Sequence, residues 1–105
     1  MRIFKVSKKL VKVKVFSAET GQKLDKSIHN LGEFQIQFEY GDFSELIELL
    51  IFHLHEAQKF GSQIQKEILG HYIEYYKSGE FIHFEKSQIK WVQDENPKVD
   101  TNFGF

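Results

Sequence analysis

The sequence contains no cysteine, and proline occurs once in its 105 residues. A chain without cysteine forms no disulfide, has no thiol nucleophile and offers no thiolate ligand to a metal. It also lacks a glycine-rich phosphate loop, a nucleophile elbow and any convincing Ser/His/Asp spacing. We therefore expect neither a cofactor nor a metal, and the lack of cysteine agrees with a reducing cytoplasm.

Long apolar runs are absent as well. The apolar run at residues 49–52 is far shorter than the roughly 20 residues that a transmembrane helix needs. An N-terminal signal peptide is not expected either, because lysines interrupt every apolar stretch there. These lysines are Lys5, Lys8, Lys9, Lys12 and Lys14. We predict a cytoplasmic protein that does not bind a membrane.

Aromatic residues are abundant and charges are segregated. The chain has eleven Phe and four Tyr, and its net charge of −1 hides an uneven distribution. Every charge in residues 1–16 is positive, and every charge in residues 33–56 is negative. Two interpretations stay open: opposed surface potentials that steer a partner, or pairing of the two segments within one sheet.

Two segments have the alternating pattern of half-buried strands. Val11, Val13 and Val15 alternate with lysines, and residues 33–40 alternate strictly between apolar and polar side chains. Residues 1–16 form either one bent strand or a hairpin. Residues 17–32 read as a polar connection with a short helical turn near residues 24–28.

Two helices are predicted at about residues 42–60 and 62–78 from their 3.6-residue apolar periodicity. Two residue pairs have the spacing of a capping box: Asp42 with Glu45, and Ser62 with Gln65. Gly61 and Gly79 each follow a lysine, which is typical of a left-handed residue that closes a helix. The second helix is apolar over about half its circumference, so we expect it to contact more than one neighbour.

The remaining segments complete the fold prediction. Residues 80–85 and 88–93 are predicted to form a hairpin around a turn at Lys86 and Ser87. The fold class is therefore α+β: an antiparallel sheet of four or five strands, with a two-helix hairpin packed on one face, in the order β(β)β-αα-ββ. We expect one domain over residues 1–93 and a flexible polar tail over residues 94–105.

Histidines are the obvious candidates for chemistry, but their spacing is unfavourable. His53 and His55 are two apart, which on a helix does not form the i, i+4 pair of a zinc site. We expect the His53 side chain to be partly buried and to act neither as a metal ligand nor as a base. A metal-dependent hydrolase built on His83 with Glu85, or on His53 with His71, remains a distant alternative.

Surplus aromatic surface favours a different function, a non-catalytic protein that docks a folded protein partner, as inhibitors, immunity proteins and antitoxins do. Aromatic side chains rimmed by carboxylates are typical of such interfaces. The predicted partner-binding residues are Glu45, Glu48, Phe52, Glu56, Tyr75 and Tyr76. The partner is expected to be basic, and a homodimer through the second helix is also predicted. A nucleic-acid binder using Lys5, Lys12 and Lys14 is the main alternative, although we prefer to explain these lysines as protection of a strand edge against aggregation.

Overall fold

A computed structural model of the chain, which describes residues 1–21 and 28–103, has four strands followed by three helices. The strands are β1 (Arg2–Lys5), β2 (Leu10–Phe16), β3 (Ile28–Leu31) and β4 (Phe34–Asp42), and the helices are α1 (Ser44–Gln58), α2 (Gln63–Ser78) and α3 (Phe81–Gln93). The α+β class is confirmed. The helical turn predicted near residues 24–28 falls mostly outside the described residues, and Ile28 itself begins β3.

The sheet is mixed, so the prediction of an antiparallel sheet is wrong in part. Its strand order is β1-β2-β4-β3, and the central pair β2 and β4 runs parallel. Parallel neighbours need a long crossover connection, which residues 17–33 provide. The alternation within each strand fixes which side chains share a face, but it does not fix the direction of the neighbouring strand. The first two strands form an antiparallel hairpin, which settles the question left open for residues 1–16.

The segregated charges pair within the sheet, as one of the two interpretations held. Glu39 on β4 lies between two lysines of β2, with its carboxylate oxygens 2.9 Å from Lys12 Nζ and 3.6 Å from Lys14 Nζ. Arg2 on β1 binds Asp42 through two hydrogen bonds of 2.7 and 2.5 Å. Basic residues of β1 and β2 therefore pair with acidic residues of β4 within the sheet.

The predicted helix ends are partly correct. Ser62 and Gln65 form the capping box at the start of α2, and Gly79 closes that helix with a φ of 71°. The cap predicted at Asp42 is wrong, because α1 follows Phe43, whose φ is 55°, and has no side-chain cap. The Asp42 carboxylate instead forms an ion pair with Arg2. Gly61 lies between the helices as expected but does not adopt a positive φ.

The predicted hairpin at residues 80–93 is wrong, since this segment is helix α3. Phe84 and Trp91, seven positions apart, both pack against the helical core. Ser87, predicted as a turn residue, is completely buried and donates its hydroxyl to the Phe84 carbonyl at 2.6 Å. Its small side chain lies on the inner face of α3. The predicted two-helix hairpin is thus a layer of three helices.

The helices pack chiefly on one another, with α2 between α1 and α3. The core of this layer centres on Tyr72, which is completely buried. The molecule measures 50 × 26 × 21 Å and its radius of gyration is 16.1 Å, above the roughly 13 Å of a compact domain of this length. The sheet therefore extends the helical layer at one end and does not stack beneath it.

Residues beyond α3 lie along the helices. Gln65 donates to the Val99 carbonyl at 2.7 Å, Trp91 Nε1 donates to Asp100 Oδ1 at 2.7 Å, and the Phe103 N–H donates to Tyr72 Oη at 3.0 Å. The sequence predicts a flexible tail over residues 94–105, of which 104–105 lie outside the described residues. In the described ranges, none of the helices has both the length and the apolar content to cross a bilayer.

Candidate functional site

The predicted partner-binding residues fall into two separate groups. Phe52 lies on α1 with 57% of its surface exposed, and Glu45 and Glu48 are exposed on the same helix. Glu56 pairs with Lys59 at 2.5 Å. His53 is also exposed, so the expectation that it is partly buried is wrong. This group presents a convex helix surface.

The second group lines a concave site. Tyr75 and Tyr76, in the last turn of α2, border an apolar pocket of about 230 Å³ that we call the tyrosine pocket. Its described lining residues are Met1, Val15, Phe16, Tyr75, Tyr76, Gly79 and Phe81. A neighbouring pocket of about 340 Å³ shares four of these and adds Phe38, Tyr40, Glu80 and Ile82. Neither set of described lining residues includes one from α1.

The backbone at the end of α2 creates the tyrosine pocket. Gly79 takes a left-handed conformation and lies against β2, where a Cβ atom would come within 2.8 Å of Val15 Cγ1 and 3.0 Å of Tyr40 Cδ1. Only glycine combines that conformation with so close an approach. Just beyond β2, the N–H groups of Ala18 and Glu19 donate to the carbonyls of Tyr76 and Lys77 at 2.9 and 3.0 Å. The sheet and α2 are thereby joined at the pocket.

Burial makes the two tyrosines weaker acids than usual. It raises the pKa of Tyr75, and it raises the pKa of Tyr76 to about 12, with smaller contributions from Tyr75 and Tyr72. Both hydroxyl groups therefore keep their protons at neutral pH. The tyrosine pocket is uncharged and apolar, with neutral hydroxyl groups near it.

Sequence reasoning found Tyr75 and Tyr76 but missed most of their neighbours. Val15 was assigned to the core of the sheet and Gly79 to a helix cap, both from local patterns. Their approach to the tyrosines depends on contacts between residues about sixty positions apart, and a local pattern carries no signal for such contacts. Tyr72 was also missed as the centre of a hydrogen-bond network with Gln88, Asn102 and Phe103.

The histidines do not assemble a metal centre in the described part of the chain. His83 and Glu85 stand two apart on a helix, so they do not share the strand face on which that pair was predicted. Burial lowers the pKa of His71, and the nearby cations Lys86, His83 and Lys90 lower it further. No group of three or more histidine or carboxylate side chains suited to a metal occurs within residues 1–21 and 28–103.

The lysines named for nucleic-acid binding are largely engaged elsewhere. Lys12 and Lys14 both contact Glu39 and are partly buried, whereas Lys5 is exposed. The Glu39 carboxylate offsets one of the two positive charges of Lys12 and Lys14, which lowers the attraction of this face for phosphates. Nucleic-acid binding through these lysines stays a prediction.

Comparison with known proteins identifies the family. The model of Peptidase family M49 matches residues 1–105. Dipeptidyl peptidase 3 of Dictyostelium discoideum is similar to this chain, with 30% identity over 105 residues. That alignment covers 99% of this chain and 15% of the relative, so the chain spans about a seventh of the length of that protein.

These matches correct the functional predictions. The prediction of a non-catalytic binding protein with an inhibitor, immunity or antitoxin role is wrong, and so is the prediction that the protein is not an enzyme, because the chain matches a peptidase family. Since the family model covers the whole chain, this protein belongs to Peptidase family M49.

Proposed function

We propose that this chain functions as part of a peptidase with dipeptidyl peptidase activity, and that it contributes a peptide-contacting surface at the tyrosine pocket. The observation that carries the proposal is the family match, which extends over residues 1–105. The name of the Dictyostelium relative supplies the activity. Because that relative is several times longer, the reaction itself is proposed for a complete enzyme of the family.

The geometry supports a binding role within such an enzyme. A concave, mostly apolar site bordered by a few polar groups is the usual form of a ligand site, and the tyrosine pocket has that form. The described residues do not fit a metal centre, so we derive no catalytic step from them. We also place the protein in the cytoplasm, where a chain without cysteine needs no oxidising environment.

A segment exchange tests this function. The matched segment of Dictyostelium dipeptidyl peptidase 3 is replaced by residues 1–105 of this chain, and dipeptide release from a synthetic peptide is followed by mass spectrometry. We expect the chimera to release dipeptides and the 105-residue protein alone to release none. The matched control replaces the same segment with a Gly/Ser linker of equal length and is expected to be inactive.

Two results would overturn the proposal. One is a chimera that melts at the temperature of the parent enzyme yet releases no dipeptide. The other is a linker control as active as the parent, because the segment would then be dispensable for the reaction.

A further inference from the structure

The hydroxyl group of Tyr76 is the starting point, because nothing in the described protein binds it. Tyr76 is only 6% exposed, and buried polar groups normally have hydrogen-bond partners. Within residues 1–21 and 28–103, its ring contacts other aromatic rings but its hydroxyl makes no hydrogen bond. Tyr72, one turn earlier on α2, makes three.

This hydroxyl borders open space. Every fully enclosed side-chain nitrogen or oxygen of the described residues has a hydrogen-bond partner. Since Tyr76 Oη has none, it is not fully enclosed, and Tyr76 is one of the residues that line the tyrosine pocket. Apart from the two tyrosines, the described walls of this cavity are Met, Val, Phe and Gly residues, whose side chains carry no hydrogen-bond donor.

The size of the pocket limits what it can hold. Its volume of about 230 Å³ is several times the roughly 30 Å³ that one water occupies. It is also smaller than the roughly 300–1,000 Å³ of a site for a whole drug-sized ligand. The volume of the pocket therefore suits one bulky side chain. The neighbouring pocket, which shares Met1, Val15, Gly79 and Phe81, continues the groove and leaves room for the main chain on either side.

We propose that the tyrosine pocket binds a single large apolar side chain, aromatic or branched aliphatic, of a peptide, and that Tyr76 Oη donates a hydrogen bond to a main-chain carbonyl of that peptide. The inference rests on the proposed function, because a peptidase binds peptides. Apolar walls reject charged side chains, since a charge placed there loses its hydration without gaining a partner. The raised pKa of Tyr76 keeps its hydroxyl a donor throughout the physiological range.

Binding is measured on the 105-residue protein, without any hydrolysis. The probes are acetyl-Ala-Phe-Ala-amide, acetyl-Ala-Leu-Ala-amide and acetyl-Ala-Lys-Ala-amide at millimolar concentration, followed by amide chemical shifts in NMR spectra. We expect the Phe and Leu peptides to shift resonances of the lining residues and the Lys peptide to shift none. No shift with any of the three peptides would overturn the proposal.

Three variants assign the contacts. Tyr76→Phe removes only the hydroxyl and is expected to weaken binding of the Phe peptide about 3- to 10-fold, the range set by one hydrogen bond. Phe81→Ser removes an aromatic ring that lines the pocket, at a residue that is 59% exposed. We expect this change to weaken binding of the Phe peptide about 10-fold or more. Phe52→Ser is the matched control, because Phe52 is 57% exposed but lies on α1, away from the pocket.

The outcomes separate this inference from the proposed function. Equal affinity of Tyr76→Phe and wild type, or equal losses for Phe81→Ser and Phe52→Ser, would refute the pocket assignment even if the chimera is active. An inactive chimera combined with selective peptide binding would refute the enzymatic role and would still support peptide binding at the tyrosine pocket. In an active chimera, Tyr76→Phe should raise KM and leave kcat nearly unchanged, since the contact is made equally before and during the reaction.

Discussion

Two tyrosines one helical turn apart show how differently the same side chain can be used. Tyr72 Oη donates to Asn102 Oδ1 at 3.0 Å and accepts from Gln88 Nε2 at 2.8 Å and from the Phe103 N–H at 3.0 Å. It therefore ties three parts of the chain together. Tyr76 Oη makes no hydrogen bond with the residues the structure describes. The first hydroxyl stabilises the fold, and the second is free for a ligand.

We therefore expect opposite stability effects from one substitution. Tyr72→Phe removes the acceptor of the Phe103 N–H, one acceptor of Gln88 Nε2 and a donor to Asn102 Oδ1, and should lower the free energy of unfolding by about 2 kcal/mol. Tyr76→Phe removes no intramolecular bond and should change it by less than about 0.5 kcal/mol. Urea unfolding at 25 °C measures both. Equal losses in the two variants would contradict the hydrogen-bond assignment.

The pair of Arg2 and Asp42 makes stability depend on pH. The hydrogen bonds from Arg2 hold the pKa of Asp42 below its usual range, and the positive charge of Arg2 lowers it further. The Asp42 side chain is 7% exposed, so the pair is partly shielded from solvent. Because the folded pKa lies below the unfolded one, the pair stabilises the protein above the usual aspartate pKa. That contribution disappears as pH falls through the lowered folded value.

The test compares wild type with Arg2→Met between pH 7 and pH 2. We expect the variant to melt at a lower temperature at neutral pH, and the difference to shrink steadily below about pH 4. Lys98→Met is the control, since Lys98 is an exposed cation with no ion pair to another described residue. A difference between wild type and Arg2→Met that stays constant down to pH 2 would exclude this pair as the cause.

At the scale of the element, Gly70 inside α2 and Gly79 at its C-cap differ in whether a side chain can replace their hydrogen. Gly70 lies inside the helix, where the nearest obstacle to a Cβ atom is the flexible Gln58 side chain, with its Nε2 at 3.4 Å. Gly79 closes the helix with a φ of 71°, and there a Cβ atom would meet Val15 at 2.8 Å. Glycine is thus replaceable at the first position and required at the second.

Replacing each by alanine should change stability in opposite directions. Gly70→Ala should raise the free energy of unfolding by about 0.5–1 kcal/mol, because alanine loses less backbone entropy in a helix. Gly79→Ala should lower it by more than about 1 kcal/mol through the left-handed strain and the contact with Val15. The measurement is thermal unfolding of both variants beside wild type. Equal losses of stability in Gly70→Ala and Gly79→Ala would contradict the different surroundings of the two glycines.

The sequence predicted those elements whose signals are local. The alternation at β2 and β4 and the capping box at Ser62 each need only a few neighbouring residues, and all are present in the structure. Helix α3 was missed because Ile82 and Phe84 alternate with Phe81 and His83 as a strand would, and because Ser87 resembles a turn residue. Its burial against α2, which no local pattern reveals, favours the helix.

The candidate site was predictable to the same limited degree. Tyr75 and Tyr76 were recognisable from the aromatic arc of α2, since side chains on a helix surface follow from its period. The opposite wall comes from β2, and its position depends on the parallel pairing with β4. Parallel pairing is a property of the tertiary fold, because the strand sequences would suit either direction.

At the scale of the whole molecule, much apolar surface remains uncovered among the described residues. Leu46, Leu49 and Phe52 on the outer face of α1 are 63%, 54% and 57% exposed. Soluble monomers rarely leave so many neighbouring apolar side chains open to water. The apolar arc of α2, which the sequence assigned to a second copy, is covered by α1, α3 and residues 99–103. The outer face of α1 is therefore an exposed apolar surface through which two copies could associate.

We expect the isolated 105-residue protein to self-associate through this face of α1. Leu49→Glu combined with Phe52→Ser should reduce the sedimentation coefficient to that of a 12.4 kDa monomer, because both changes remove apolar area from the contact. Val92→Ser is the control, since Val92 is 68% exposed on α3. A wild-type protein that is already monomeric at high micromolar concentration would contradict this expectation.

The seam where Ala18 and Glu19 meet the end of α2 has a consequence for how such a chain tolerates change over evolution. Both bonds run from main-chain N–H groups to main-chain carbonyls, so exchanging side chains there leaves donors and acceptors in place. A relative that shares only 30% of its residues can thus preserve the attachment of sheet to helix while its surface diverges. Proline is the exception at these two positions, because it alone among the residues has no N–H to donate.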